Sequence, residues 1–203
     1  MKKLYRPSTV LVGVLFVLLG GVARLAAPDQ VYDQQNIKVV HGTIGQALDY
    51  AGSGSTVKVT RIRLAQSVID SEADENKKPF DTDGVYVAVE WDAVRGSKKP
   101  DPITPTLVTD GGSIYAPVAG LSHSGIDIPE PGYAETGSIV FEVNPADMKG
   151  LRLRLKSLMV FNVYNSEIQV DLGIPTEEIA QRMVDNAAAK YEVEKSVTRV
   201  ASS

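Results

Sequence analysis

The strongest constraint on the fold is an alternating run at residues 84–94, GVYVAVEWDAV. Successive side chains of an extended strand point to opposite faces, so a period of two predicts a strand. One face of this run is uniformly apolar, whereas the other mixes an aromatic, a small and an acidic residue. The apolar face holds Val85, Val87, Val89 and Trp91, and the other face holds Tyr86, Ala88 and Glu90. We therefore predict a central strand with Trp91 in the core.

Two further segments predict strands in the first half of the chain. Residues 57–64 alternate with a single slip of phase at Arg61 and Ile62, which predicts a β-bulge. Residues 106–118 predict two short strands around a hairpin-type turn at 110–112, the sequence DGG.

Three more strand signals follow. Pro131 and Gly132 predict a turn before a strand that ends at Val143. Residues 151–156 alternate leucine with basic residues, and residues 166–173 are the last candidate. No helical pattern lies between the strands, which disfavours a parallel α/β sheet and predicts a mainly β fold, an antiparallel β-sandwich.

An uncharged apolar segment covers residues 7–23 and follows three basic residues. At ~1.5 Å per residue it reaches roughly 26 Å, near the lower limit for crossing a ~30 Å hydrocarbon core. Because the long side chain of Arg24 can snorkel, we predict that residues 8–27 contact the lipid bilayer within an N-terminal transmembrane signal-anchor helix, residues 1–28. The basic residues then predict a single-pass cell-membrane protein with a cytoplasmic amino terminus and an extracytoplasmic C-terminal domain.

Two other interpretations of this segment stay open. A cleaved secretory signal would have its best cleavage site at Gly21-Val22-Ala23, since Pro28 disfavours cleavage after Ala27. A buried core helix is the third possibility, although no later segment offers it a matching helical layer.

The segments that flank the sandwich differ from it. Residues 29–53 predict a polar stalk and a first short strand, which leaves residues 54–173 for the sandwich. Residues 174–203 predict a C-terminal amphipathic helix and a frayed tail, because apolar residues recur every fourth position after a helix start. This stripe suits packing on the sandwich itself or docking on a partner. It comprises Ile179, Met183, Ala187 and Tyr191.

Four quoted stretches together resemble a family of extracytoplasmic domains. They are STVKVTRI, GVYVAVEWDA, LVTDGGSIYAP and PGYAETGSIVFEV, within residues 54–172. The chain resembles immunoglobulin-like domains of unknown function found in actinobacterial and firmicute lipoproteins and membrane-anchored proteins. The resemblance implies an immunoglobulin-like fold and carries no active residues. Tyr133 departs from the acidic or polar residue usual after the turn glycine, and the chain has no cysteine for a lipid anchor.

Charge and composition limit the chemistry of the body. Residues 1–27 hold four of the 21 basic residues and no acid, so the rest carries 17 basic and 25 acidic residues, a net charge of −8. This predicts no nucleic-acid partner and no attraction to anionic headgroups. The absence of cysteine excludes disulfides and a cysteine nucleophile.

No catalytic, cofactor or metal site emerges from the motifs. His123 lies between two serines, but neighbours on an extended chain point to opposite faces, so it is read as a loop residue. The acidic loop at 70–83 offers carboxylates to calcium but lacks the spacing and glycine of an EF-hand. A solvated loop is the simpler interpretation.

We therefore expect a non-catalytic binding or accessory subunit of a membrane or cell-envelope protein complex. The first alternative is a module that binds a glycan, lipid or peptide of the envelope through Tyr115, Tyr133 or Tyr164. The second alternative is an envelope enzyme with an unrecognised site. Apolar residues 158–163 fit a sandwich strand or an exposed contact patch. The candidate partner contacts are Leu158, Val160, Phe161, Ile179, Met183 and Tyr191.

The anchor interpretation predicts the mature amino terminus. Intact-mass spectrometry of the membrane-associated protein should find residues 1–28 retained. Cleavage after Ala23 would instead give a mature chain that begins at Arg24, and that mass would contradict the prediction.

Overall fold

A computed structural model describes residues 38–50, 52–70, 78–121, 125–157, 166–193 and 195–201. Within these ranges no helix has the length and apolar character needed to cross a bilayer. Several predictions lie outside the described residues. They concern the anchor at 1–28, the bilayer contact at 8–27, the stalk up to residue 37, loop residues 71–77, and His123, Leu158, Val160, Phe161 and Tyr164.

The described residues form two β-sheets with one α-helix and a short 3-10 helix, Pro145–Asp147, which confirms the mainly β, antiparallel sandwich prediction. The strands are β1 Lys38–Thr43, β2 Leu48–Tyr50, β3 Ser55–Asp70, β4 Phe80–Val94, β5 Ile103–Val108, β6 Ile114–Tyr115, β7 Tyr133–Val143, β8 Arg152–Ser157, β9 Ser166–Asp171, β10 Tyr191–Val193 and β11 Val197–Val200. The first sheet has the strand order β1-β9-β8-β5-β6, and the second has the order β10-β3-β4-β7-β11, with β2 also paired to β3.

Strand β4 lies at the centre of the second sheet, antiparallel to β3 on one edge and to β7 on the other. Its predicted apolar face packs into the core between the sheets, where Trp91 is 2% exposed. The pairing of β3 with β4 skips Thr60, so the predicted bulge exists one residue before the predicted slip. The first sheet supplies the opposite side of this core with Leu107, Leu153, Leu155 and Ile168.

A second, smaller apolar cluster lies on the outer face of the second sheet. The sequence assigns Tyr86 and Ala88 to the face away from the core, and both are nevertheless buried. They pack with Val140 of β7 and are covered by side chains from distant segments of the chain. Those covering side chains are Val68, Leu121 and Val193.

The sandwich begins earlier than the predicted boundary at residue 54. β1 pairs in parallel with β9, and β2 pairs with the beginning of β3, so both belong to the sheets. Residues 38–50 are therefore part of the sandwich rather than a stalk with one strand.

The C-terminal region contains one short helix, α1, Glu177–Asp185, with Thr176 accepting a hydrogen bond from Ile179 N as its N-cap. Ala180 is buried in the sandwich core, and the apolar neighbours on its face pack there too. The predicted helical stripe is wrong at Tyr191, because the helix ends at Asn186, whose amide side chain donates to the Arg182 carbonyl. Tyr191 begins β10 instead.

The predicted frayed tail is also wrong over residues 197–200. Strand β11 pairs antiparallel with β7, and the guanidinium of Arg199 donates to Asp92 Oδ2 over 2.8 Å. These backbone and ionic contacts fix the segment at the edge of the second sheet.

A tight contact between two turns gives a stability prediction. A Cβ at Gly96 would lie 2.2–2.5 Å from backbone atoms of Gly54 and Ser55, so Gly96→Ala should destabilise the full chain by at least about 2 kcal/mol. Gly111→Ala is the matched control, because its nearest contact would be an ordinary 3.7 Å. Urea denaturation followed by fluorescence of the single tryptophan, Trp91, measures both. Equal stabilities of the two variants would contradict the prediction.

A buried tyrosine predicts a loss of stability at alkaline pH. Tyr50 is fully buried, and burial raises its pKa to about 12. The folded state holds this proton more tightly than the unfolded state, so the contribution is complete below pH ~10 and is lost as pH rises towards 12. Tyr50→Phe should remove a decline on the order of 2 kcal/mol, whereas Tyr133→Phe, at an exposed site, should keep it. Circular dichroism across this pH range tests the difference, and an unchanged decline in Tyr50→Phe would refute it.

Candidate functional site

Two adjoining cavities border strand β3, one over the outer face of the second sheet and one at the edge between β3 and α1, with volumes of about 370 Å³ and 420 Å³. They share Arg63 and Tyr191 as lining residues, and we call the depression that they form the outer groove. Its polar part is lined by Thr60, Arg61, Arg63, Glu90, Trp91, Thr136, Gly137, Ser138, Tyr191, Glu192, Lys195 and Val197. Its apolar part is lined by Ile62, Arg63, Leu64, Met183, Asn186, Ala188, Lys190 and Tyr191.

The apolar part lies between β3 and the end of α1. Ile62 and Leu64 come from β3, and Met183 comes from the last turn of the helix. Ile62 and Met183 are only partly buried against the core, so each keeps apolar surface in the cavity. The lining of this part includes Arg63 and Lys190 and no acidic residue.

The polar part is built from register partners on three neighbouring strands. Glu90 on β4 lies opposite Arg61 on β3 and opposite Ser138 on β7. Its carboxylate accepts from Arg61 Nε through one oxygen and from the Tyr191 hydroxyl, at 3.3 Å, through the other. This network connects the side chains of β10, β4 and β3.

A buried polar side chain without a described partner lies beneath the polar part. Ser138 is 3% exposed, and its hydroxyl has no hydrogen-bond partner among the described residues. The side chain points to the outer face because its neighbour Ile139 faces the core. The indole N–H of Trp91, on the core side of β4, also lacks a partner in the described part of the chain. An unmade bond of this kind costs about 1–3 kcal/mol.

The edge of β3 that faces away from β4 is open where it borders the groove. The carbonyl of Leu64 accepts from Ala188 N, and Gln66 N donates to the Ala188 carbonyl, both over 2.9 Å. Backbone groups of alternate residues point to the same edge, so Ile62 directs its N–H and C=O there as well. Gly45 N donates to the Val59 carbonyl over 2.7 Å, and between that bond and Ala188 no strand of the described ranges pairs with this edge.

The structure brings two of the predicted partner contacts to the outer groove, Met183 and Tyr191. Ile179 packs against the core, and Leu158, Val160 and Phe161 lie outside the described residues. Sequence reasoning missed Ile62, Arg63 and Ser138. The slip of phase at Arg61 and Ile62 was the one available signal, because a bulge re-aims side chains at a strand edge.

The other predicted candidates are distributed over the surface. Tyr115 donates its hydroxyl proton to Asp147 Oδ2 over 2.5 Å; this bond lowers the pKa of Asp147, and burial raises the pKa of Tyr115. Tyr133 is 45% exposed. Within the described ranges, which include only part of the acidic loop at 70–83, no group of three metal-ligating side chains gathers.

Neither a protein-family model nor a curated protein matches this chain. Two solved structures are similar to it. One is an uncharacterised β-sandwich protein from Clostridium difficile, with 12% identity and a TM-score of 0.40, covering 66% of this chain and 95% of that chain. The other is the yjhA protein from Bacillus subtilis, with 10% identity and a TM-score of 0.39, covering 64% of this chain and 99% of that chain.

Proposed function

We propose that this chain is a non-catalytic binding or accessory subunit of a membrane or cell-envelope protein complex. Residues 8–27 anchor it in the bilayer, and the sandwich, with the immunoglobulin-like character that its sequence resembles, lies on the extracytoplasmic side. The outer groove is the surface that receives the partner protein.

The observation that carries this proposal is the lining of the groove. Met183 and Tyr191, selected from the sequence as partner contacts, lie in one cavity with Ile62 and Leu64. The apolar residues of α1 thus make two kinds of contact. Ile179 and Ala180 pack on the sandwich, and Met183 packs there and also lines the cavity. An open cavity of about 420 Å³ with these side chains is large enough for side chains of a partner.

A module for an envelope ligand is the second candidate, and exposure of Tyr133 favours it. This ring stands next to Val200 across the β7–β11 pair, and both side chains are exposed. A glycan or lipid bound there would protect Tyr133 from surface labelling. Protection by a protein partner at the groove would leave that labelling unchanged.

Site-specific crosslinking tests the accessory function. A photo-crosslinking amino acid at position 183 of the full chain, in its native membrane, should give one discrete adduct with a membrane protein. The matched control is position 181, since Gln181 is exposed on the same helix and lies outside the groove lining. We expect at least tenfold more adduct from position 183. Equal yields, or adducts at neither position, would show that the groove does not receive a partner.

A further inference from the structure

The outer groove combines an open strand edge with a local reversal of charge. Four of its lining residues are basic and two are acidic, on a body with a net charge of −8. Arg63 and Lys190 make no ion pair within the described ranges, and both side chains are exposed. The basic lining residues are Arg61, Arg63, Lys190 and Lys195, and the acidic ones are Glu90 and Glu192.

We propose that the groove binds an extended segment of the partner protein, which adds a strand to the open edge of β3 and alternates acidic with apolar residues. This inference rests on the proposed function and specifies the chemistry of the partner. Strand addition requires backbone donors and acceptors that no described segment of the chain already uses, and Ile62 supplies both.

The alternation follows from the faces of β3. Ile62 directs its side chain towards the core side and Arg63 directs its side chain outward, because adjacent residues of a strand point to opposite faces. A strand added beside them places successive side chains on the same two faces. An apolar residue then packs beside Ile62 and Met183, and a carboxylate lies beside Arg63 and Lys190.

The chain itself already adds a strand to this edge of β3. Strand β10, with the sequence Tyr-Glu-Val, pairs with the same edge of β3 at Val68–Asp70. Tyr191 and Val193 contact the small apolar cluster on the outer face, and Glu192 between them is exposed. The same edge therefore accepts a strand of alternating apolar and acidic residues, with the two faces exchanged relative to the proposed segment.

Charge also disfavours a second copy of this chain as the occupant. The free edges that another copy could offer include β1 and β11, and neither strand contains an acidic residue. β1 would bring Lys38 towards Arg63 and Lys190, and β11 offers Arg199, whose guanidinium already pairs with Asp92. The acidic body likewise opposes an anionic membrane surface as the occupant.

Defined peptides test the inference on the full chain in detergent. The probe is a blocked, fluorescently labelled hexapeptide of alternating glutamate and valine, and its anisotropy reports binding. We expect its affinity to exceed that of the matching lysine–valine and glutamate–serine peptides by at least tenfold. Equal binding of the lysine–valine peptide, or no binding of the glutamate–valine peptide, would overturn the proposal.

Two variants place the peptide in the groove. Arg63→Glu should lower the affinity for the glutamate–valine peptide at least tenfold and raise the affinity for the lysine–valine peptide. Lys38→Glu, at an exposed site on β1, should change neither affinity. N-methylation of alternate residues should abolish binding for one of the two sets, odd-numbered or even-numbered, and leave binding unchanged for the other. Only one of these sets directs its N–H groups towards β3. Insensitivity to both changes would refute strand addition.

The outcomes separate this inference from the proposed function. A specific adduct at position 183 without charge-selective peptide binding would retain the accessory function and exclude the alternating acidic strand. Selective peptide binding without any adduct in the native membrane would exclude the accessory function. Self-association of the chain that Arg63→Glu abolishes would identify a second copy as the occupant and overturn the inference.

Discussion

Burial of strand β4 on both faces is the constraint on which the rest of the structure depends. Its inner face packs against the first sheet, and its outer face at Tyr86 and Ala88 is apolar as well. Full burial of one such side chain contributes roughly 1.5–3 kcal/mol, so the outer face needs a cover. Leu121 and β10 supply it. The path of the C-terminal region follows from this requirement, because the chain must leave α1 and cross the outer side of the second sheet.

The outer groove lies where this cover ends. Beyond the second cluster the same face becomes polar, with Glu90 and Ser138 as register partners. The covering segment contacts the sheet there through the hydroxyl of Tyr191 rather than through apolar packing. A space therefore remains between the cover and the sheet. It is lined by Ser138, whose hydroxyl has no partner among the described residues.

Most of the individual strands could be predicted from the sequence, because a period of two is a local property of the chain. The alternation around Trp91, the DGG turn and the two leucines of β8 each lie in the predicted element. The cover over Tyr86 could not be predicted, since no local pattern shows which distant segment reaches a given face. Tyr191 illustrates the same limit: it continues the spacing of a helix, but pairing with β3 places it in a strand. The predicted contacts Met183 and Tyr191 lie in the candidate site, and their role there stays a prediction. Arg63 and Ser138 could be assigned to the site only once the neighbouring strands were known.

The late position of the cover has a consequence for the order in which the protein folds. Ala188 pairs with Ala65, and the hydroxyl of Ser67 donates to the carbonyl of Ala189, 122 residues away in the sequence. Contacts of such high contact order form slowly, because the entropy of closing a long loop must be overcome first. During synthesis β3 and β4 can pair long before residue 193 leaves the ribosome. In that interval Tyr86 and Val140 lack the contact with Val193, so the nascent chain exposes an aggregation-prone apolar surface until β10 packs on it.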